Sequence, residues 1–450
     1  MDYEGENQSQ EPSEETSIEE IEACSPKVSG KEMIPIVWNP GTLSWVKADV
    51  TWNNQKATWE QTESDLKWYD YSKNEKKWAN IVTVEENGYY TRQYYEQAQA
   101  GTEILMQDIT SMYVWIPRYE YKNIYYTDST YQQKSEEETA YVQLDVKFIG
   151  VDKIQPDERY TVNSAFSYKN ASNEDVNIEG FWVAKFEVGN YKSKTPTNNI
   201  GANYGGSSIN PIVANPEKVT ENYLIIKPNI TSWRFAAQSS TIDYINQIIQ
   251  VSSEDVSSDG NEEKDIYGLQ SSAEIGLLTT EMWDAVAILA KSEYGNTLYN
   301  SDNIYGNFYY QGDGTESICY YTTLTGIVTR INENDYSELT DGDIVHLVTS
   351  NKEENTGHIK INNKYNYYEY WTENGKKGST SSNEYGIYDM VGGAAEYTID
   401  SQANYYLRGG SFWNILETNK EAADISSKVQ ASNINDANRT YSFRTGLVVK

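Results

Sequence analysis

NEYGIYDMVGGAAEYTIDSQANYYLRGGSFW (383–413), followed near the end of the chain by SFRTGLVV (442–449), is the text on which the reading of the fold turns. Gly409 and Gly410 permit a close backbone approach or a positive φ between strands, which a Cβ would obstruct. Arg408 and Arg444 are expected to make charge-assisted bonds inside the domain, and Asp389 and Glu396 to satisfy nearby backbone or arginine groups. On this reading both arginines are structural rather than ligand-binding.

Upstream, two runs alternate with the period of a strand. In Met112 to Pro117, Met112, Val114 and Ile116 share one face while Tyr113 and Trp115 share the other; Gly180 to Val188 alternates in the same way. Two helices are predicted between these runs and the closing text. Ser232 is a candidate cap for a helix carrying Trp233, Ala236, Ala237, Tyr244, Ile245, Ile248 and Ile249. Thr280 is a candidate cap for a second, with Glu281 at its positive end and Trp283, Val286, Ala287 and Ala290 as its apolar stripe.

Nearer the N-terminus, residues 1 to about 26 hold nine acidic residues and no Lys or Arg before Lys27, and residues 1–30 read as a disordered acidic leader. Residues 31–108 read as a small β-rich aromatic module, short apolar runs broken by Asn-Pro-Gly and Asn-Asn, with a polar connector from about Glu85 to Asp108. Residues 109–450 form the main domain in this reading, with insertions at about 250–275 and 296–383. The second insertion is rich in Tyr, Asn and Gly, and it suggests hairpins or elaborated loops.

The 450 residues carry a formal net charge of -31, a balance that repels phosphate backbones and argues against nucleic acid as a partner. No stretch approaches the ~18–20 consecutive apolar residues that span a bilayer, so no direct membrane insertion is expected. The start MDYEGENQSQ lacks a basic segment followed by an apolar one, and any export signal or anchor is expected outside this chain. Cys24 and Cys319 lie far apart, Cys24 in the leader, so no structural disulfide is expected. The 39 Tyr against 8 Phe admit two readings: biased composition, or a protein built for wet contact surfaces, where Tyr adds rigid amphipathic area.

Taken in order, the motifs resemble the formylglycine-generating-enzyme (sulfatase-modifying factor) type of C-type-lectin-like domain. MYVWIPRYEYK (112–122) and GFWVAKFEV (180–188) resemble its opening strands. KPNITSWRFAAQ (227–238) and LLTTEMWDAVAILA (277–290) resemble its two helices. The closing text resembles its glycine, aromatic, aspartate, methionine, glycine run, its arginine-glycine-glycine-serine segment and its final phenylalanine-arginine strand. The resemblance spans about three-quarters of the chain, 112–449. It implies an α+β fold: a C-type-lectin-like domain with two helices and twisted antiparallel sheets, preceded by the small β-rich module.

The chemistry of that family is not carried over. Its oxidases bind copper through a cysteine pair near the C-terminal end, and here no cysteine follows Cys319. Iron-dependent relatives need a histidine cluster, and this chain has only His346 and His358, both in the second insertion. A nucleophile elbow, a Walker loop, His-Glu-x-x-His and Cys-x-x-Cys are all missing from the sequence. An enzyme is therefore not expected, and no cofactor is required. Calcium is compatible with the family, some members of which bind it near the segment matching 383–400; Glu396 is the candidate ligand here, and oxygen-rich Asn300 to Asn303 is another source. Gln155-Pro156-Asp157 mimics a lectin sugar-binding tripeptide, but it lies outside the expected loop.

WYDYSKNEKKWAN (68–80) followed by MYVWIPRYEYK resembles surface and prophage-encoded proteins of Gram-positive bacteria. Non-catalytic proteins of this architecture that are diversified by retroelements place variable residues between the glycine-glycine segment and the last strand. Here that interval runs from Phe412 to Tyr441. Its candidate ligand-binding residues are Phe412, Trp413, Asn414, Asn433, Asn435, Asn438 and Tyr441, a mixture of rings and amides that suits an adaptable contact surface. The expected function is adhesin-like binding of a protein or glycan receptor on a cell surface, at an extracellular, cell-surface or virion-associated location. The alternative is a structural component of a phage virion or pilus, in which the chain would enter an oligomer or larger assembly.

Overall fold

The computed structural model describes residues 23–126 (except 40, 43 and 73), 141–190 (except 154, 155 and 171), 224–227, 267–290, 292 and 294, strand segments within 318–367, residues 386, 387, 390 and 395–409, the strand 428–430, and 441–450. β1 (Ile34–Asn39), β2 (Ser44–Lys47), β3 (Val50–Asn53), β4 (Thr58–Gln61) and β5 (Asn80–Val84) precede a short helix, α1 (Arg92–Gln97). Then come β6 (Ile109–Pro117), β7 (Tyr119–Tyr126), β8 (Tyr141–Phe148), β9 (Thr161–Val162), β10 (Ser167–Lys169), β11 (Asp175–Asn177), β12 (Gly180–Ala184), β13 (Gly189–Asn190) and β14 (Leu224–Ile225). β15 (Ala273–Leu277) leads into α2 (Thr280–Ala290), followed by β16 (Ile318–Thr322), β17 (Val328–Asn332), β18 (Ile344–Leu347), β19 (His358–Ile361) and β20 (Lys364–Tyr367). The chain closes with β21 (Ala395–Ile399), β22 (Tyr405–Arg408), β23 (Lys428–Gln430), β24 (Tyr441–Phe443) and β25 (Thr445–Val449).

A seven-stranded sheet in the order β15-β25-β12-β6-β5-β1-β2 carries the core. Every pairing in it is antiparallel. All nine residues of β6, ITSMYVWIP, are buried, because a central strand covered on both faces has no side for solvent. Both predicted strands are present, the second ending at Ala184 rather than Val188.

Among the described residues this is a mostly antiparallel β structure, and the expected α+β, two-helix C-type-lectin-like class is corrected accordingly. The described helices are α1, of six residues, and α2, of 11. The helix predicted at Ser232 lies outside the described residues. The local periodicity at 280–290 is helical as read, yet the surface on which it packs is built by strands, and strands supply most of the core.

The domain boundaries also shift. The line at 108/109 does not separate two sheets, since β5 pairs with β6 along Asn80↔Val114 to Val84↔Ile109. β1 and β2 extend the same sheet. The polar connector contains α1 and buries Tyr95, Ile104 and Asp108. Residues 267–275, placed in an insertion by the sequence, bury Tyr267 and Leu269 and begin β15. The second insertion, expected to hold hairpins or elaborated loops, carries an antiparallel five-stranded sheet, β17-β16-β18-β19-β20, in which β16–β17 and β19–β20 pair as consecutive strands.

The last residues of the supposed leader are part of the core, and the physical reason is indole hydrogen bonding. A buried Trp must satisfy its N–H. Trp115 Nε1 donates to the Cys24 carbonyl at 3.2 Å, and Trp182 Nε1 to the Lys27 carbonyl at 2.7 Å. Trp59 and Trp68 do the same to Met33 and Asn80, at 3.0 and 2.7 Å. Cys24 is therefore held against the sheet, its thiol donating to the Ile149 carbonyl at 3.2 Å. Buried tyrosines act similarly: Tyr113 shares a hydrogen bond with Thr445 at 2.9 Å and Tyr119 donates to the Ala285 carbonyl at 2.5 Å. Part of the tyrosine excess thus serves a core that uses hydroxyls as cross-ties.

Lys185 is the least expected core residue. Its Nζ donates to Asn80 Oδ1 at 3.0 Å and lies 5.0 Å from the centre of the Trp45 ring. Burial lowers its pKa to about 7 from an ordinary 10.5. The unfolded chain then binds more protons than the folded one between pH 7 and the ordinary lysine range, so this site's contribution to stability rises with pH through that window. The unfolding free energy of the wild type minus that of Lys185→Met is expected to climb by up to about 1.4 kcal/mol per pH unit from pH 7 to 9. Urea titrations at several pH values measure it, and a flat difference would contradict the burial argument.

Candidate functional site

The interval from Phe412 to Tyr441 springs from a four-stranded sheet, β23-β22-β21-β24, and that sheet is fixed to the rest of the molecule from below by α2. Thr279, not Thr280, caps α2: its Oγ1 accepts from Met282 N at 3.1 Å, and its carbonyl accepts from Trp283 N at 2.9 Å. Thr280 is instead the first helical residue, and its hydroxyl shares a hydrogen bond with Thr398 of β21 at 2.9 Å. Trp283, buried on the inner face, donates its Nε1 to Glu396 Oε2 at 3.1 Å.

Glu396 and Arg444 are both fully buried and face each other with a forked geometry. Arg444 Nε lies 3.0 and 3.2 Å from the two carboxylate oxygens, and Nη2 lies 2.6 Å from Oε1. Its Nη1 donates to the Ala184 carbonyl at 2.8 Å, tying β12 to β21. Arg408, directly across from Glu396 in the β21–β22 register, lays its guanidinium 4.4 Å from the Trp283 ring centre and pairs with Asp284. The structural role expected for both arginines is what the geometry gives. Glu396 as a calcium ligand fits poorly: its two oxygens already accept three hydrogen bonds from Arg444 and one from Trp283, and a cation there would have to displace a buried guanidinium.

The register sets Arg408, Lys428 and Tyr441 at the same end of the strands of this sheet. Arg408 pairs with Glu396 and Lys428, while Tyr441 pairs with Ala395, so β22 ends where β23 and β24 begin. Gly409 turns the chain there with φ +78°, and a Cβ on it would lie 2.3 Å from the Met390 carbonyl oxygen, so glycine is required. Of the predicted binding residues, Phe412, Trp413, Asn414, Asn433, Asn435 and Asn438 lie outside the described residues, as do Gly410, Asp389 and Asn300 to Asn303. Tyr441 is half-buried, packed edge-on to Tyr397 at 5.6 Å. It is a foundation of the interval rather than its tip.

Other singled-out residues are dispersed. The register sets His358 across from Leu347, one residue out of step with His346, and Cys319 also pairs with Leu347. Asp157, of the lectin-like tripeptide, is committed to Lys153 at 2.7 Å and Lys147 at 3.3 Å.

One surface was missed by the sequence reading. Tyr89, Tyr90 and Tyr94 are 70, 37 and 42% exposed, the exposed large hydrophobic side chains among the described residues. Tyr90 stacks on Tyr94 at 4.4 Å and 18°, and Tyr89 stands edge-on to Tyr90 at 4.8 Å. Beneath them the buried Asp108 carboxylate accepts from Tyr89 N at 2.7 Å, Tyr90 N at 3.1 Å and the Tyr95 hydroxyl at 2.7 Å. Burial, and then that carboxylate, hold the Tyr95 phenol well above its ordinary pKa. The signal was present as paired tyrosines at 89–90 and 94–95 on either side of Thr91, a residue type that caps helices.

Replacing Arg444 with Met leaves Glu396 as a buried carboxylate without its charge partner and is expected to cost about 3–5 kcal/mol. Chemical denaturation measures this, and the loss is expected to be equal in calcium and in chelator. A loss that calcium restores would reinstate Glu396 as a metal ligand.

No protein-family model matches the chain, and no curated protein matches it significantly.

Proposed function

We propose that this protein is a non-enzymatic, adhesin-like recognition protein that binds a protein or glycan receptor on a cell surface through the interval Phe412 to Tyr441. The observation that supports the reading is the mounting of that interval. Arg408 and Tyr441, which bracket it, lie at the same end of one sheet, and that end is clamped by the Arg444–Glu396 fork and the Arg408–Trp283 stack. A binding loop gains from such a base, because a rigid scaffold limits the ordering entropy lost when a partner docks. The likeness of the closing motifs to non-catalytic formylglycine-generating-enzyme-type proteins points the same way. An extracellular, cell-surface or virion-associated setting goes with this role. Among the described residues no helix is long and apolar enough to cross a membrane.

Binding of the purified chain to a panel of bacterial cells and glycans, with and without chelator, tests the proposal. The comparison variant is Trp413→Ala with Asn433→Ala; Tyr441 is left in place because its ring supports Tyr397. Saturable binding by the wild type, weakened about tenfold or more in the variant, is the expected result. Chelator sensitivity would add calcium to the mechanism. If nothing binds and the chain polymerises with concentration, the protein is a structural component of a virion or pilus instead.

A further inference from the structure

The tyrosine cluster at 89–95 lies on a different element from the closing interval and has no part in the reading above. Its rings are held in place from two sides. Asp108 fixes the loop from below, and Gly88 allows the approach: a Cβ there would lie 2.6 Å from Asp108 Oδ1. At the other end Lys47 Nζ donates to the Tyr95 and Glu96 carbonyls, at 2.9 and 2.6 Å, closing the C-terminus of α1. Thr91 caps its N-terminus, with its side chain accepting from Tyr94 N at 3.2 Å. Three exposed rings on so firmly tied a turn form a preorganised platform. Water gains nothing from it, since the rings would bury more surface if the loop folded inward.

The area of the platform selects the size of its occupant. A tyrosine buries ~150–250 Å², so the exposed fractions of the three rings present roughly 200–400 Å². A stable protein interface needs about 800 Å² from each partner. A second copy of the chain, or a folded partner, would find less than half of that here. A sugar ring or two would be well matched in size.

Charge selects the chemistry. The segment 85–100 has one exposed carboxylate, Glu86, and its cation Arg92 is half-buried with Nε on the Val84 carbonyl at 3.3 Å. The segment's other exposed polar side chains, Asn87, Thr91, Gln93, Gln97 and Gln99, are neutral hydrogen-bonding groups, and the carboxylates of Glu85 and Glu96 are half-buried. Over the whole chain the charge of -31 disfavours anionic ligands. What remains is a neutral ligand with a flat C–H face and a rim of hydroxyls. Its C–H bonds lie against the electron-rich face of a tyrosine ring, and its hydroxyls meet the amides.

We infer that Tyr89, Tyr90 and Tyr94 form a stacking site for the pyranose rings of a neutral glycan, separate from the Phe412 to Tyr441 interval. The affinity of one such open platform is on the order of millimolar, so the site acts through repeated contacts on a polysaccharide or cell surface.

The full chain is titrated with neutral oligosaccharides of glucose, galactose, mannose and N-acetylglucosamine, read by saturation-transfer NMR on the sugar protons. Tyr89→Ala with Tyr94→Ala is expected to weaken binding about tenfold or more, whereas Tyr89→Phe with Tyr94→Phe keeps the rings and stays within about threefold. Both pairs lie on the surface, and an unchanged thermal midpoint confirms that they fold. Trp413→Ala is expected to leave this binding unchanged, which separates the site from the receptor interval. The inference is overturned if no sugar in the panel receives saturation, if the Ala pair binds like the wild type, or if the Ala pair abolishes self-association rather than sugar binding.

Discussion

Two full charges, on Glu396 and Arg444, sit where water cannot reach them, and the closing third of the structure is arranged around keeping them together. Moving such ions out of water costs several kcal/mol each, a cost met only if the geometry is good and the remaining donors are satisfied. Here the fork on Glu396 takes two guanidinium nitrogens, the third goes to the Ala184 carbonyl, and the indole of Trp283 fills the last position on the carboxylate. Four elements, β12, α2, β21 and the turn between β24 and β25, thereby share one set of bonds. None can shift without stranding a charge. That constraint also explains why Arg408 stacks on Trp283 instead of reaching Glu396, its neighbour across the strands.

Elsewhere the same economy appears with neutral groups. The large rings of the core are mostly Trp and Tyr, and each brings one polar atom into the interior. Several of those atoms reach backbone carbonyls far away in sequence: Trp182 to Lys27, Trp115 to Cys24, Tyr119 to Ala285. Ring burial supplies the free energy and the polar atom supplies the register. A core of Phe would bury similar area but would not specify which strand lies where. The segment 23–33 has little regular structure of its own and is positioned largely by these indoles.

What the sequence made legible was local. The period-2 runs in β6 and β12, the helical stripe of α2 and the pairing of closing arginines with acids could all be read from neighbouring residues. The non-local features could not. Nothing in the alternation of IPIVWN shows that it will extend the sheet of β6, so the stretch read as a module of its own. The acidity of residues 1–22 coloured the reading of Cys24 and Lys27, whose backbone carbonyls are chosen by distant tryptophans. Thr279 and Thr280 are equally good caps on paper, and Thr398 decides between them. The fold class failed for a related reason: motif order implied two helices against sheets, while the described core is overwhelmingly strand on strand. Within Phe412 to Tyr441 only Lys428–Gln430 and Tyr441 are placed, and the tyrosine cluster was hidden within a segment whose mean polarity suggested a plain connector.

β25 lies between β15 and β12 in the main sheet, although it is made about 260 residues after β12. During synthesis the facing edge of β12 must wait for it roughly 10–50 s at ordinary elongation rates, and that of β15 about two-thirds as long. Throughout that time they offer unpaired backbone groups of the kind that recruit strands from other chains. A nascent chain of this protein therefore carries an open seam in its main sheet until β25 fills the gap, and a chain terminated before Thr445 would keep that seam permanently.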